Sequence, residues 1–365
     1  MYLSDLRPLY AQPGPWVSVY LDASRSDERG AEAVGLRWRA AREALTAAGA
    51  RQEVLSGVEG AISDDLGGEH GLAVFAGPSG VAHVEALPRP PALPIAEVGP
   101  LPHVMPMLEQ RGEQVSWLRV LVDRTGADIE RAAVGRAHRY TTLEGPEEYP
   151  LSKNKPGGWS APRYENGVEI TWGRNTGAVA SAAAEMAERA GAEVLILAGD
   201  VRARHLVEKQ LPNSWRGRTV QSEGSRAGGA DPRRLDEQTH RAVAEVAQAR
   251  VEEALDRLRV YSARDLTATG LANVVSALQR GNAETVVLEP SKLDSITLWV
   301  GPEPAYLATT EGELRRLGVA EPQLVRADDA IVRSAAATGA ELFLAQLKED
   351  EGDRDGAAVL LRGSP

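Results

Sequence analysis

The sequence predicts a multi-domain α/β protein, and three observations support that prediction. The chain has 365 residues, which is more than one hydrophobic core usually serves. Its hydrophobic fraction of 43% and charged fraction of 25% are ordinary for folded globular domains. Segments with the alternating pattern of strands are interleaved with segments that have the roughly 3.6-residue period of helices. We therefore expect three α/β domains, over residues 1–112, 113–260 and 261–365.

The first domain begins with a strand of alternating large residues and ends in a run of prolines. Its predicted elements are a strand at 14–22, an Arg- and Ala-rich helix around 34–45, a helix at 52–62, and strands at 71–76 and 81–87. Segment 88–106 is proline-rich. Because proline has no amide donor and a fixed φ, this segment is expected to form neither a regular helix nor a central strand.

The middle domain is predicted to have a ribonuclease-H-like layer. Its predicted elements are strands at 117–123, 127–131 and 136–143, helix 177–190, strand 193–198, helix 201–210, strand 218–222 and helix 235–258. Asp200 is the expected N-cap of helix 201–210. Segment 145–176 is polar and glycine-rich, and we predict it to be a loop. A strand meander followed by alternating helices and strands is typical of this α/β class.

The C-terminal domain is predicted to be a small, ribosomal-protein-like α/β/α sandwich. Its predicted elements are helix 267–279, strands 284–288 and 296–300, a helix ending at 337, and strands 341–347 and 357–361. Asp328 and Asp329 are expected to cap the helix that ends at 337. The acidic segment 348–355 reads as a solvated turn, or alternatively as a surface that faces a partner.

Composition excludes several classes of function. The chain has no cysteine, which excludes disulfides, thiolate metal sites and thiol nucleophiles. The sequence shows no signal peptide and no apolar run of about 18–20 residues, so we expect a cytoplasmic protein that does not enter membranes. A net charge of −11 argues against a DNA-binding protein. A local basic surface could still bind phosphate, because charges act over about 8 Å at physiological salt.

Motifs for catalysis are not found in the sequence. There is no phosphate-binding P-loop, no dinucleotide fingerprint and no His-Glu-x-x-His zinc motif, and the six histidines are scattered. Acidic pairs fall where caps and loops are expected. We predict no catalytic residue, no metal and no cofactor, while a triad assembled from distant residues stays open.

The glycine-rich loop of the middle domain is the most informative segment. Two adjacent glycines let the backbone approach a partner closely, and aromatic side chains between cations suit stacking on an unpaired base. The predicted RNA contacts are Lys153, Lys155, Gly157, Gly158, Trp159, Ser160, Arg163, Tyr164 and Arg174. The alternative is a solvent-facing loop whose tryptophan folds back onto its own domain.

A basic stretch follows at 200–234, with eight Lys or Arg residues against four acids. We predict further RNA contacts at Arg202, Arg204, Arg216 and Arg218, with a solvated surface as the alternative. Residues 37–42 carry three arginines around Trp38. They could face RNA, or Trp38 could pack in the core with the arginines exposed.

Five short motifs, in their order along the chain, indicate a family. They are Trp16-Val-Ser-Val-Tyr20, Asp123-Arg-Thr-Gly126, Gly157-Gly-Trp159, Ala198-Gly-Asp200 and Arg326-Ala-Asp-Asp-Ala330. The middle domain resembles that of the archaeal and eukaryotic peptide-chain release factors and their Pelota relatives. Over residues 10–363 the chain resembles the bacterial branch of this superfamily, the mycobacterial-type relatives of the ribosome hibernation factor Balon.

The resemblance implies a function in which hydrolysis has been lost. Release factors carry Gly-Gly-Gln in this loop, and the glutamine positions the water that cleaves peptidyl-tRNA. Here Trp159 stands in its place, and an indole has one N–H donor and no acceptor. No counterpart of the Asn-Ile-Lys-Ser stop-codon motif is present.

By this resemblance, the protein would occupy the vacant A site of the 70S ribosome under stress, contacting ribosomal RNA, with its third domain beside elongation factor Tu. The first alternative is a ribosome-rescue peptidyl-tRNA hydrolase that places water with another group of the loop. The second is an RNA-modifying nuclease, which would require a metal site for which Asp123 and Asp200 are the only candidates.

Overall fold

The computed structural model describes residues 1, 3–24, 30–63, 70–113, 115–123, 126–132, 139–144, 161–224, 233–347 and 355–363, with the side chains of 112–113, 139, 144, 161–175 and 233 left out. The chain divides into two compact units. Unit 1 combines Met1–Gly112 with Arg250–Pro365, and unit 2 is Glu113–Ala249. Both units combine sheets and helices, which confirms the predicted α/β class.

In its described residues, the first part of unit 1 contains one antiparallel sheet, a 3-10 helix and three α-helices. Its elements are a 3-10 helix at Ser4–Tyr10, β1 at Trp16–Asp22, α1 at Gly30–Ala47, α2 at Gln52–Ser63, β2 at Gly71–Gly77, β3 at Gly80–Leu87, β4 at Ile95–Gly99 and α3 at Met105–Glu113. The strand order is β3-β2-β1-β4. The proline-rich segment does contain a strand, β4, but it lies at the edge of the sheet and between Pro94 and Pro100, so it contains no proline itself.

Strand β1 is buried on both faces, which accounts for its motif. Trp16 and Tyr20 point into one apolar cluster, while Val17 and Val19 point into another that includes α1 and α2. This is the two-residue alternation of a strand placed between two cores. On α1, Trp38 is 5% exposed and packs in this second cluster, whereas Leu36 is exposed.

Unit 2 is built on a five-stranded sheet. Its elements are β5 at Trp117–Val122, β6 at Gly126–Ala132, β7 at Arg139–Glu144, α4 at Ala161–Ala190, β8 at Val194–Gly199, α5 at Val201–Gln210, α6 at Asn213–Arg216, β9 at Thr219–Gln221 and α7 at Arg233–Ser262, whose residues up to 249 belong to this unit. The strand order is β7-β6-β5-β8-β9, with an antiparallel meander on one side of β5 and parallel pairs on the other. This is the predicted ribonuclease-H-like layer.

Helix α4 corrects the expected extent of the loop. It begins at Ala161, sixteen residues before the predicted start at 177, so Arg163, Tyr164 and Arg174 lie on a helix and not on a loop. Its second position is Pro162, which is tolerated in the first turn of a helix because the missing amide would have no partner there. The glycines of this segment lowered its helix propensity and hid the helix from sequence reasoning.

The second part of unit 1 contains two small sheets. Its elements are β10 at Thr267–Thr269, α8 at Leu271–Gln279, β11 at Ala283–Leu288, α9 at Pro290–Leu293, β12 at Thr297–Val300, β13 at Leu307–Ala308, α10 at Glu311–Arg316, β14 at Gln323–Arg326, α11 at Ala327–Thr338, β15 at Glu341–Leu344 and β16 at Ala357–Leu361. The orders are β10-β16-β11-β15 and β13-β12-β14. The predicted helix at 267–279 is therefore a short strand followed by a helix, separated by Gly270 at a φ of 85°.

The two parts of unit 1 share one apolar cluster. Leu6, Trp16 and Phe75 from the first part lie in the same cluster as Val286 and Ile331 from the second. The side chain of Arg7 adds a hydrogen bond of 2.8 Å from Nε to the carbonyl of Ala336. Within the part of the chain that the structure describes, no helix is both long and apolar enough to cross a membrane.

Candidate nucleic-acid interface

The basic surface of unit 2 is positioned by the turn from β8 into α5. Gly199 has a φ of +114°, and a Cβ atom there would lie 1.9 Å from the carbonyl oxygen of Val122. Only glycine fits this backbone conformation and this close approach. Asp200 then caps α5, since its Oδ1 accepts hydrogen bonds of 3.0 Å from the amides of Arg202 and Ala203. The Ala198-Gly-Asp200 motif thus fixes the direction in which α5 leaves the sheet.

Three cations of this surface have no carboxylate partner within the described chain. Arg202 and Lys209 are exposed on α5, and their spacing of seven residues places them on one face of the helix. Arg218 lies 4.2 Å above the ring centroid of Trp215 and donates 3.1 Å from Nε to the carbonyl of Ser214. We call Arg202, Lys209 and Arg218 the basic face. Cations without acidic neighbours are free to pair with phosphate.

The other two predicted arginines hold local structure. Arg216 donates from Nε to the carbonyl of Leu211 at 3.1 Å and from Nη2 to that of Lys209 at 2.7 Å, which satisfies carbonyls at the C-terminus of α5. Arg204 donates from Nη1 to the carbonyl of Ser222 at 2.7 Å, and its Nε is buried without a partner. Both arginines also add positive charge to the region.

Other cations of the sequence are neutralised. Arg234 forms an ion pair of 2.7 Å with Glu223, which removes it from the basic stretch 200–234. In the helix around Trp38, Arg37 pairs with Asp22 at 2.7 Å and Arg42 pairs with Glu59 at 3.0 Å. The burial of Trp38 and these pairs support the core interpretation of that segment over an RNA-facing one.

The Gly-Gly loop falls in the part of the chain that the structure leaves out. Lys153, Lys155, Gly157, Gly158, Trp159 and Ser160 are outside the described residues, and for Arg163, Tyr164 and Arg174 only the helical backbone is described. The basic face is nevertheless connected to α4, because Gln210 at the end of α5 donates to the hydroxyl of Thr176 at 2.8 Å. Thr176 lies about 22 Å along the helix axis from Ala161, the first helical residue after the loop.

Two further motifs have structural roles. Asp123 closes the turn between β5 and β6, since its Oδ1 accepts a hydrogen bond of 3.0 Å from the amide of Gly126. In Arg326-Ala-Asp-Asp-Ala330, Arg326 and Asp328 form an ion pair of 3.1 Å, and Ala327 and Ala330 are buried. Asp328 and Asp329 do not cap α11 as predicted, because the N-cap residue is Arg326 and both aspartates lie inside the first turn, where they are buried. Both motifs therefore have a role in the fold.

Asp329 instead meets a histidine that is 226 residues away in the sequence. The Nδ1 of His103 lies 3.1 Å from Oδ1 of Asp329, and the backbone of His103 is held by Ser18 and by the hydroxyl of Tyr20. Burial raises the pKa of Asp329 to about 6. Burial alone would lower the pKa of His103, but the hydrogen bond and charge of Asp329 raise it above its ordinary value.

The same histidine and two aspartates have ligand atoms within 4.8 Å of one another, the spacing of a metal site. Asp328 is already paired with Arg326, and Asp329 with His103. A cation would have to displace these partners. We therefore interpret the cluster as a structural contact that joins the two parts of unit 1. Sequence reasoning missed it because nothing local indicates so distant a pair.

Comparison with known proteins places this fold and surface in a class. Residues 116–264 match bacterial archaeo-eukaryotic release factor family 2. The matched segment comprises 149 of the 365 residues and includes most of unit 2. This match confirms the resemblance to the bacterial branch of the release factor superfamily that the motifs indicated.

One relative is similar to the chain over nearly its whole length. An uncharacterized protein of Mycobacterium tuberculosis, found in strains H37Rv and CDC 1551, is 28% identical over 368 residues, which cover 98% of this chain and 96% of the relative.

Two solved structures with similarity to the chain contain Pelota and Dom34. A model of ribosome-bound archaeal Pelota and ABCE1 is 14% identical with a TM-score of 0.42, covering 99% of this chain and 94% of that one. Dom34 of Saccharomyces cerevisiae, a translation termination-like factor, is 10% identical with a TM-score of 0.40, covering 83% and 82%. At such values the similarity does not by itself establish fold or function.

Proposed function

We propose that the protein is a ribosome-binding hibernation factor of the cytoplasm that occupies the vacant A site under stress and does not hydrolyse peptidyl-tRNA. The family match over residues 116–264 is the observation on which this proposal rests. The archaeal Pelota in one of the similar structures is described as ribosome-bound. The basic face lies on unit 2, the unit to which most of the matched segment belongs, and would bind ribosomal RNA through its phosphates.

The absence of hydrolysis is inferred from Trp159. An indole cannot both donate to and accept from a water molecule, as the amide of glutamine does. Its ring is suited to stacking on an unpaired base, which contributes about 1–3 kcal/mol. In this proposal Gly157 and Gly158 still let the backbone approach RNA closely, as in a release factor. Trp159 contributes to binding and does not support hydrolysis. Elongation factor Tu, beside the C-terminal segment of the chain, is the proposed protein partner.

The first experiment separates binding from hydrolysis. Purified protein is added to vacant 70S ribosomes and to ribosomes that carry peptidyl-tRNA, and both co-sedimentation and ester cleavage are measured. We expect binding to vacant ribosomes without cleavage, and weaker binding of Trp159→Ala by about 1–3 kcal/mol. Cleavage that survives this substitution would support a rescue hydrolase instead. No binding at physiological salt would refute both functions.

The second experiment tests the basic face. A variant with Arg202→Gln, Lys209→Gln and Arg218→Gln is compared with Arg189→Gln, which removes an exposed cation that is already paired with Glu185 on the same unit. We expect the triple variant to bind ribosomes more weakly. The slope of log affinity against log salt should be smaller by about 0.7–0.9 for each lost phosphate contact. Equal slopes for the wild type and the triple variant would exclude these residues from the interface.

A further inference from the structure

A cavity of about 650 Å³ lies within unit 1. Both parts of the unit line it: Tyr10, Trp16 and Leu101 come from the first part, and Val300, Tyr306 and Arg333 from the second. This volume is in the range of small-molecule sites, roughly 300–1,000 Å³. The lining is largely apolar and aromatic, with one buried cation.

That cation, Arg333, is the unusual feature of the cavity. It is 7% exposed, yet within the described chain it has no carboxylate partner. Its Nη1 donates to the carbonyl of Gly301 at 2.9 Å and its Nη2 to that of Pro302. A guanidinium has five N–H donors, so three are left over. Burial lowers the pKa of Arg333, as expected for a charge that is not fully compensated.

The helix explains why Arg333 lacks an acid. Asp329 is four residues earlier on α11, the usual position for an ion-pair partner, but its carboxylate is engaged by His103. Glu321, on the rim of the cavity, is exposed. Beside Arg333, the hydroxyl of Tyr10 is buried and has no hydrogen-bond partner. Buried charges and hydroxyl groups are normally satisfied, whereas Arg333 has no carboxylate partner and the Tyr10 hydroxyl has no hydrogen-bond partner among the described residues.

We propose that this cavity binds a small organic anion, with a carboxylate or phosphate on Arg333 and a planar apolar body between the aromatic side chains. A guanidinium pairs with either anion through two parallel N–H donors. Trp16 and Tyr306 are among the residues that line the cavity, and aromatic side chains favour stacking with a planar ring. The ligand would contact both parts of unit 1 and would therefore stabilise that unit against unfolding.

Isothermal titration calorimetry and thermal unfolding of the full chain test this proposal with defined probes. Benzoate and AMP supply the two anions on a planar body, benzamide and adenosine are their neutral counterparts, and inorganic phosphate has no apolar body. We expect benzoate or AMP to bind at millimolar concentration and raise the unfolding temperature of unit 1. The neutral counterparts and inorganic phosphate should bind more weakly. If AMP alone binds, the site is for phosphates; if benzoate alone binds, it is for carboxylates.

Variants then assign the binding to Arg333. Arg333→Gln should bind about tenfold more weakly, the loss expected for one charge-assisted hydrogen bond. Arg315→Gln, which removes an exposed cation paired with Glu311 at 2.6 Å, should bind like the wild type. If Arg333→Gln does not fold, the proposal is tested on the wild-type protein alone, by comparing the affinity of each anion with that of its neutral counterpart. Equal binding of charged and neutral probes, or no binding of either anion, would overturn the proposal.

Discussion

Replacing Gly199 with alanine should strongly destabilise unit 2. The φ of +114° at this position is unfavourable for any residue with a Cβ, at a cost of about 1–3 kcal/mol. The added methyl would lie 1.9 Å from the carbonyl oxygen of Val122 and 2.8 Å from its carbonyl carbon, all in backbone that cannot rotate away. Relieving such an overlap costs about a further 1–3 kcal/mol. We therefore expect a loss of about 4 kcal/mol, a large share of the roughly 5–15 kcal/mol that stabilises a typical domain.

Two other glycines of the same unit separate the contributions of strain and overlap. Gly191 has a φ of +62° but open space around it, so Gly191→Ala should cost only about 1–2 kcal/mol. Gly217 has a φ of −75° and open space, so Gly217→Ala should be neutral or stabilising by up to about 1 kcal/mol.

The assay is urea unfolding followed by hydrogen exchange of peptides from β5 and β8. It gives the free energy of unfolding of unit 2 without interference from unit 1. If Gly199→Ala lies within about 1 kcal/mol of Gly191→Ala, the close approach to Val122 is not the reason for the glycine.

Two further predictions concern unit 1. The folded unit holds protons on Asp329 and His103 that the unfolded chain releases, so its free energy of unfolding should fall as the pH rises from about 4 to beyond 6.5. Urea titrations at several pH values should show this slope flattened in Asp329→Asn, and an unchanged slope would mean that the pair does not titrate as described. Arg111→Ala leaves Glu85, 5% exposed, with His83 as its only remaining ion-pair partner among the described residues, and should cost up to about 3–5 kcal/mol in the same assay. The exposed pair of Arg315 should cost under about 1 kcal/mol when broken, and equal losses would contradict this assignment.

Local patterns in the sequence were sufficient to predict features that depend on a single helix or strand. Helix α5 has the bounds predicted from Asp200 and from the apolar run before it. The alternation of Trp16 to Tyr20 correctly predicted a strand, although not that both of its faces are buried. These features depend on capping and side-chain period, which act over a few residues.

Features that depend on distant residues could not be predicted. The pairing of Asp329 with His103 joins two parts of the chain, and Asp329 therefore looked like a cap. The sequence of 200–234 correctly indicated an excess of positive charge, but not which of its cations pair with acids. Only the folded structure shows that Arg234 is neutralised by Glu223, while Arg202 has no acidic partner among the described residues. Helix α4 was missed over its first half because packing can override the low propensity of glycine.

Because unit 1 combines the two ends of the chain, it can complete its folding only when synthesis ends. Residues 1–112 bury Leu6, Trp16 and Phe75 against side chains that lie beyond residue 270. Those partners leave the ribosome last, whereas unit 2 is contiguous and can form its sheet while translation continues. Part of the apolar surface of the nascent N-terminal segment therefore stays exposed to solvent until the C-terminal strands have been synthesised. A truncated chain ending after unit 2 should in consequence depend on chaperones and be degraded more readily than the full-length protein.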